Sequence, residues 1–181
     1  MERTVVEDPM AHDAVVRADD EGAFDAFVVA RGDALWRSAW LLTTDHQLAE
    51  DLVQTALAKS WRAWSRVGPD GFEAYVRRVM YTTYVSWWRR KWRAERPTEH
   101  LPERAAASED RDARNDLVSA LGRLPRGQRA VVVLRYFEDL TEQQTAAALG
   151  IGVGTVKSQC SRALTTLRSS PHLRREEPGD D

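Results

Sequence analysis

Residues 140–167, LTEQQTAAALGIGVGTVKSQCSRALTTL, constrain the fold of this chain more than any other stretch. Thr141 is placed to N-cap a helix, with Gln144 three residues on to close a capping box, and Ala146, Ala147 and Leu149 supply small apolar contacts. Gly150 and Gly152 then stop that helix. From Thr155 a second helix carries Val156, Cys160, Ala163, Leu164 and Leu167 on one continuous apolar stripe. Its opposite face holds Lys157, Ser158, Ser161 and Arg162. A helix, a glycine turn and a second helix with donors and cations facing outward make a helix-turn-helix, whose second helix fits the major groove of DNA. Helical hairpins with a basic outer face also serve as plain packing units, so the rest of the chain must decide.

A net charge of −2 would ordinarily argue against a DNA binder, because phosphate contacts need a basic surface. The distribution of that charge points the other way. Residues 71–97 carry +5 and residues 121–170 carry +4, while 1–30 carry −6 and 98–120 carry −3. Two basic blocks set among acidic ones suggest two nucleic-acid contacts on a chain whose other surfaces face something else. At 181 residues, 43% hydrophobic and 30% charged, the chain can build one ordinary domain or two small helical ones. It has no apolar run long enough to span a membrane, and its acidic N-terminus is unlike a secretory signal, so a cytoplasmic protein is expected. The single cysteine, Cys160, rules out an internal disulfide. None of His12, His46, His100 and His172 has metal-ligand spacing, so neither a metal nor another cofactor is expected.

Taken in order, 1–20 read as a loose tail or a weak first helix. Phe24, Phe27, Val28, Leu35, Ala39 and Leu42 mark an amphipathic helix, or two broken near Gly32, and Thr43–Asp45 form a break and cap. The next helix places Leu48, Leu52 and Ala56 inward, widened by Val53, Leu57, Trp61 and Trp64, with Glu50, Asp51, Gln54 and Ala58 on the other face. The Gly68–Gly71 stretch ends it. From Phe72 to Arg93, the residues Phe72, Val76, Val79, Met80 and Thr83 account for packing, yet Tyr75, Tyr81, Tyr84, Trp87, Trp88 and Trp92 exceed what one stripe can bury. Arg77, Arg78, Arg89, Arg90, Lys91 and Arg93 are interleaved with them. Aromatic faces that stack on unpaired bases beside guanidinium groups that hold the backbone suit single-stranded nucleic acid, against the plainer reading of core tryptophans under a solvated basic face.

Residues 97–114, with two prolines, many charges and few apolar side chains, read as a linker that could reach roughly 56–61 Å fully extended. Asp116 can cap a helix bearing Leu117, Leu121 and Leu124, and Pro125 ends it. Val131, Val132 and Val133 favour a strand locally, but no partner strand is available, so 128–137 is read as helix. The expected fold is all-α: two small helical domains, 21–96 and 115–170, joined by a flexible linker over 97–114, with tails at 1–20 and 171–181 and the helix-turn-helix in the C-terminal domain.

Three motifs in order across one linker then become recognisable. AEDLVQTALAKSWRAW (49–64), YVRRVMYTTYVSWWRRKWR (75–93) and LPRGQRAVVVLRYFEDLTEQQTAAALGIGVGTVKSQCSRAL (124–164) resemble the extracytoplasmic-function (ECF) sigma factors of bacterial RNA polymerase, over roughly Glu21 to Ser170. The resemblance implies a domain 2 that docks on the polymerase clamp and opens the minus-ten element, and a domain 4 that reads the minus-35 element near the flap. It implies polymerase contacts from Asp51 and Gln54. Minus-ten contacts are implied for Trp87, Arg89 and Arg90, and minus-35 contacts for Lys157, Ser158 and Arg162. Core RNA polymerase and promoter DNA are the implied partners, and such proteins are commonly held inactive by an anti-sigma factor, although no residue here identifies one. The chain departs from the family where Asn and Asp are often found, at Thr82 and Ser86, and where Gln159 and Cys160 replace a common Arg-Leu pair.

Two other readings stand beside this one. A stand-alone regulator would bind a duplex site tightly without polymerase. A helical enzyme acting on nucleic acid would need paired carboxylates, a nucleophile arrangement or a phosphate loop, none of which the sequence offers.

Overall fold

The computed structural model describes residues 9–94 and 109–170, with side chains described for 20–89 and 116–170. All regular structure among them is helical. Helix α1 is Pro9–Thr43, α2 His46–Ser60, α3 Trp64–Val67, α4 Pro69–Ala94, α5 Glu109–Gly122, α6 Arg126–Val132, α7 Glu142–Leu149 and α8 Val153–Arg168. A 3₁₀ turn (Trp61–Ala63) joins α2 to α3, and a π-helical turn (Val133–Phe137) extends α6.

The N-terminal region is built on α1, α2 and α4. Helix α1 passes through Gly32 without a break, and its 35 residues make it roughly 52 Å long. Asp45 caps α2 by accepting from the Leu48 amide at 2.8 Å. Gly68, at φ 72°, turns the chain out of α3 in the left-handed region, and Pro69 opens α4 at the position where its missing N–H costs nothing. The core gathers on Phe72, which is fully buried. Its ring meets Trp64 at 4.7 Å, Phe27 at 5.1 Å and Phe24 at 5.8 Å between centroids, all near edge-to-face.

In the C-terminal region the helix-turn-helix forms from α7 and α8. Thr141 accepts from the Gln144 amide at 3.2 Å while the Gln144 side chain accepts from the Thr141 amide at 2.8 Å, completing the capping box. Gly150 closes α7 in the left-handed conformation, at φ 63° and ψ 42°. Val156 and Ala163 are fully buried and Leu167 nearly so, with Cys160 half-buried on the same stripe. Replacing Thr141 with Ala is expected to lower stability by about 1 kcal/mol. An unchanged urea midpoint would contradict the capping role.

Several expectations change. The second helix of the hairpin starts at Val153, two residues before Thr155, and Ala147 is exposed rather than packed. The helix from His46 is interrupted at Trp61, and Leu48 is 45% exposed instead of lying inward. Residues 9–20 belong to α1. Of the expected linker, 97–108 fall outside the described residues, whereas 109–114 open α5, so Asp116 lies inside a helix and does not cap it. Residues 1–8 and the 171–181 tail also fall outside the described residues.

The larger change concerns α4. Tyr81 and Tyr84 are buried, at 4% and 7% exposure, because α4 packs on two sides: against α1 and α2, and against the C-terminal region. The aromatic excess of this helix is partly a second packing face. Among the described residues, no helix is long and apolar enough to cross a membrane.

Candidate nucleic-acid interface

On α8, Lys157, Ser158, Ser161 and Arg162 are all exposed and lie on one face, as helical spacing requires. Lys157 Nζ stands 3.6 Å from Glu142 Oε2 of α7, with both side chains well exposed. Such a pair contributes little, so the ammonium can leave it for a phosphate. Ser158 donates to the Thr155 carbonyl at 3.1 Å, which leaves its oxygen free to accept. Gly154 has nothing within 4 Å of where a Cβ would stand, so the start of α8 can approach another surface closely.

Gln159 and Cys160, which depart from the family pattern, are turned away from this face. Gln159 is half-buried against Gly127, its Oε1 3.1 Å from the position a Cβ would take there. The Cys160 thiol points to the Tyr136 hydroxyl at 3.7 Å. That hydrogen bond first, and then desolvation, push the Tyr136 phenol up from its ordinary value.

At the far end of α4, Arg89 is exposed, with Nη2 3.5 Å from the Gly150 carbonyl. Trp87 is half-buried and lines a shallow groove of about 390 Å³ with Leu48, Asp51, Gln54 and Thr55 of α2. Arg90 follows on the same helix, its side chain outside the described residues. Thr82 is exposed and its hydroxyl is turned back to the Val79 carbonyl at 3.0 Å, while Ser86 is also exposed.

Asp51 and Gln54 lie on the outer face of α2, about one turn apart and both exposed. Their side chains make only long intrahelical contacts among the described residues, Gln47 to Asp51 at 3.4 Å and Gln54 to Glu50 at 3.5 Å. Both are therefore available to a partner. Exposed Leu48 next to them adds an apolar side chain to this face.

Sequence reasoning missed a polar cluster that joins the two regions. Glu138, whose side chain is 6% exposed, projects from the end of the π-helical turn and pairs with Arg77 of α4. It also accepts from Ser38 of α1 and, at 2.6 Å, from the Tyr81 hydroxyl. Burial is the largest influence on Arg77 and opposes its charge, but the Glu138 carboxylate together with Glu73 and Tyr81 outweighs it, and the net shift is upward. Burial and the same carboxylate push the Tyr81 hydroxyl far up, so it remains a donor. Arg129 of α6 is also buried and points at oxygens alone: the Thr43 carbonyl at 3.1 Å, the Thr44 hydroxyl at 2.8 Å and the Gly122 carbonyl at 3.1 Å, with the Leu42 and Leu124 carbonyls each at 3.3 Å. A cation there sits at the negative ends of α1 and α5 together. Burial pulls its pKa down, with Tyr84 partly opposing. The N-terminal partners of Glu138 and Arg129 lie between 57 and 100 residues away, and no local pattern marks such contacts.

Fold and site together define a helix-turn-helix DNA-binding protein with a second, aromatic and basic helix beside an exposed polar face of α2. Comparison with known proteins makes the assignment specific. Residues 27–94 match the family Sigma-70 region 2, and residues 114–167 match Sigma-70, region 4. The RNA polymerase sigma-E factor of Streptomyces coelicolor is 45% identical over 148 residues, covering 80% of this chain and 84% of that protein. That of Streptomyces avermitilis is 42% identical over 162 residues, covering 88% and 87%. Among solved structures, the sigma factor RpoE in complex with the anti-sigma factor NepR from Bartonella quintana matches with a TM-score of 0.59 at 25% identity, over 84% of this chain and 98% of that one. The chain belongs to the ECF sigma factors, the sigma-70 group reduced to regions 2 and 4. It is an RNA polymerase sigma factor acting in transcription initiation, and sigma factors are not enzymes.

Proposed function

We propose a division of labour among three surfaces. The outer face of α2, through Asp51 and Gln54, docks on core polymerase at its clamp. The end of α4, through Trp87, Arg89 and Arg90, meets the minus-ten element where strands separate. The outward face of α8, through Lys157, Ser158 and Arg162, reads the minus-35 duplex from the major groove, with region 4 lying near the flap. Residues 21–96 and 115–170 act as the two working domains.

The observation that carries this reading is that all of these described side chains except half-buried Trp87 are exposed, on three separate surfaces. A bidentate base-edge contact from α8 would contribute about 1–3 kcal/mol of discrimination. Extruding a base at the minus-ten site costs a few kcal/mol, which stacking on an aromatic ring can offset. The chain works in the cytoplasm with polymerase and chromosome. The Bartonella quintana neighbour is bound to an anti-sigma factor, which supports control of this chain by a partner of that kind.

The docking role is tested by replacing Asp51 and Gln54 with Ala and measuring co-elution with core polymerase. The expected loss is roughly 2 kcal/mol, about thirty-fold in Kd. Unchanged co-elution would remove these residues from the interface. Binding of an isolated promoter duplex in the absence of polymerase separates this reading from a stand-alone regulator, which would bind it tightly alone.

A further inference from the structure

A cavity of about 560 Å³ opens between α1, α5 and the end of the π-helical turn. That volume is ordinary for a small-molecule site, where roughly 300–1,000 Å³ is usual. Its walls are apolar and come from all three elements: Trp40 and Leu41 of α1, Leu117 and Val118 of α5, and Phe137. Trp40 is fixed by its neighbours, its ring stacked on Trp36 at 5.4 Å and met by His46 at 5.0 Å. Phe137 is 45% exposed, so much of its ring is uncovered.

The polar groups of the cavity divide into two sets. Arg77, Ser38 and Glu138 satisfy one another: Ser38 donates to Glu138, Arg77 pairs with Glu138 and donates to Ser38 Oγ at 2.9 Å, and Glu138 also accepts from Tyr81 at 2.6 Å. A ligand gains little from them. Arg37 and Asp139 form the second set. Both are exposed, and among the described residues neither side chain makes a hydrogen bond or an ion pair. The rim therefore offers a head group both signs of charge, while the two cations and two anions lining the cavity cancel.

Asp139 is also held in place. It sits at φ 52°, in the left-handed region that Asp tolerates better than most residues. Its neighbours are pinned on either side, the Glu138 amide donating to the Val133 carbonyl at 3.1 Å and the Leu140 amide to the Leu134 carbonyl at 3.0 Å. Non-glycine residues in this region collect at functional sites, and so do π-helical turns.

We propose that this cavity binds a short zwitterionic peptide of apolar residues, about two or three residues long. The apolar walls take its side chains, Arg37 its terminal carboxylate and Asp139 its terminal ammonium. An amphiphile of one charge sign fits less well, because either sign meets one of the two rim charges as a repulsion. A single amino acid would leave much of the volume void. Arg37 and Asp139 do not pair with one another, so they stand apart as the two ends of a peptide do. Neither Asp51, Gln54 and Trp87 nor Lys157, Ser158 and Arg162 line the cavity, so the site does not depend on the roles proposed for them.

The probe is L-leucyl-L-phenylalanine, titrated calorimetrically into the full wild-type chain beside its N-acetylated and C-amidated forms. The free dipeptide is expected to bind with a Kd below about 1 mM, and each capped form at least about fivefold more weakly. Two variants assign the ends. Arg37→Gln should bind the free and amidated forms within about twofold of each other, and Asp139→Asn, which keeps the left-handed backbone, should do the same for the free and acetylated forms. Ala34→Trp fills the cavity from its α1 wall and should abolish binding while leaving the helical circular-dichroism spectrum unchanged.

No binding of the free dipeptide up to roughly 10 mM, or an affinity that neither cap alters, would overturn the proposal. Undiminished binding by folded Ala34→Trp would overturn it as well. Should that variant not fold, the two variants at exposed positions decide: a sensitivity to both caps that survives in each of them would place the peptide elsewhere and contradict the assignment.

Discussion

Replacing Trp87 and Arg89 together with Ala is expected to reduce open-complex formation roughly a hundredfold while leaving association with core polymerase within about threefold of wild type. Loss of one base-stacking contact costs roughly 1–3 kcal/mol, and loss of a charge-assisted hydrogen bond to phosphate costs roughly 1.5–3 kcal/mol. Together these correspond to about two orders of magnitude in an equilibrium constant. Permanganate reactivity of promoter thymines measures the melted region directly, and normal reactivity would remove both residues from the minus-ten site. Trp87 shares its groove with Asp51 and Gln54, so the polymerase measurement matters as much. Loss of co-elution with unimpaired melting would reassign Trp87 to the docking face.

The second large effect concerns stability. Phe72→Ala removes a fully buried ring of α4 that touches Phe24 and Phe27 of α1 and Trp64 of α3. A cavity of that kind costs about 3–5 kcal/mol against a net stability of about 5–15 kcal/mol. For a chain of this length the melting temperature should fall by about 10 °C or more. Because Phe72 lies in the region that carries α2, polymerase binding should be lost at the temperature where that region melts. A fall of only a degree or two in a circular-dichroism melt would show that the aromatic cluster does not organise the core.

What could be read from the amino-acid order follows from how local each signal is. The helix-turn-helix was legible because its devices lie within a few residues of one another: Thr141 with Gln144, Gly150 in the left-handed region, and an apolar stripe from Val156 to Leu167. The three valines from 131 onward stayed helical because all of them are buried against neighbours, which overrides a local strand preference. Periodicity misjudged α4 for the opposite reason. A single apolar stripe gives a helix one buried face, and the partner of Tyr81 is Glu138, which lies 57 residues away. Leu48 fits the inner period of α2 but is exposed beside Asp51, on the face read here as a docking surface.

Gln159 gives the most useful correction. It stands on the second helix of the hairpin where the family commonly has Arg, yet its side chain packs against Gly127. It packs α8 against α6 and is turned away from the exposed face of Lys157, Ser158 and Arg162. The set proposed to face the groove, Lys157, Ser158 and Arg162, does not include that departure from the family pattern.

The central claim is that this chain gives core polymerase its promoter preference through two DNA-reading helices. Run-off transcription from a genomic fragment library, with core polymerase alone and with the chain added, tests it most directly. The expected result is a discrete set of new transcripts that depend on the chain, whose start sites share two upstream sequence elements at a fixed spacing. Transcripts indistinguishable from those of core polymerase alone, or new transcripts sharing no upstream elements, would contradict it.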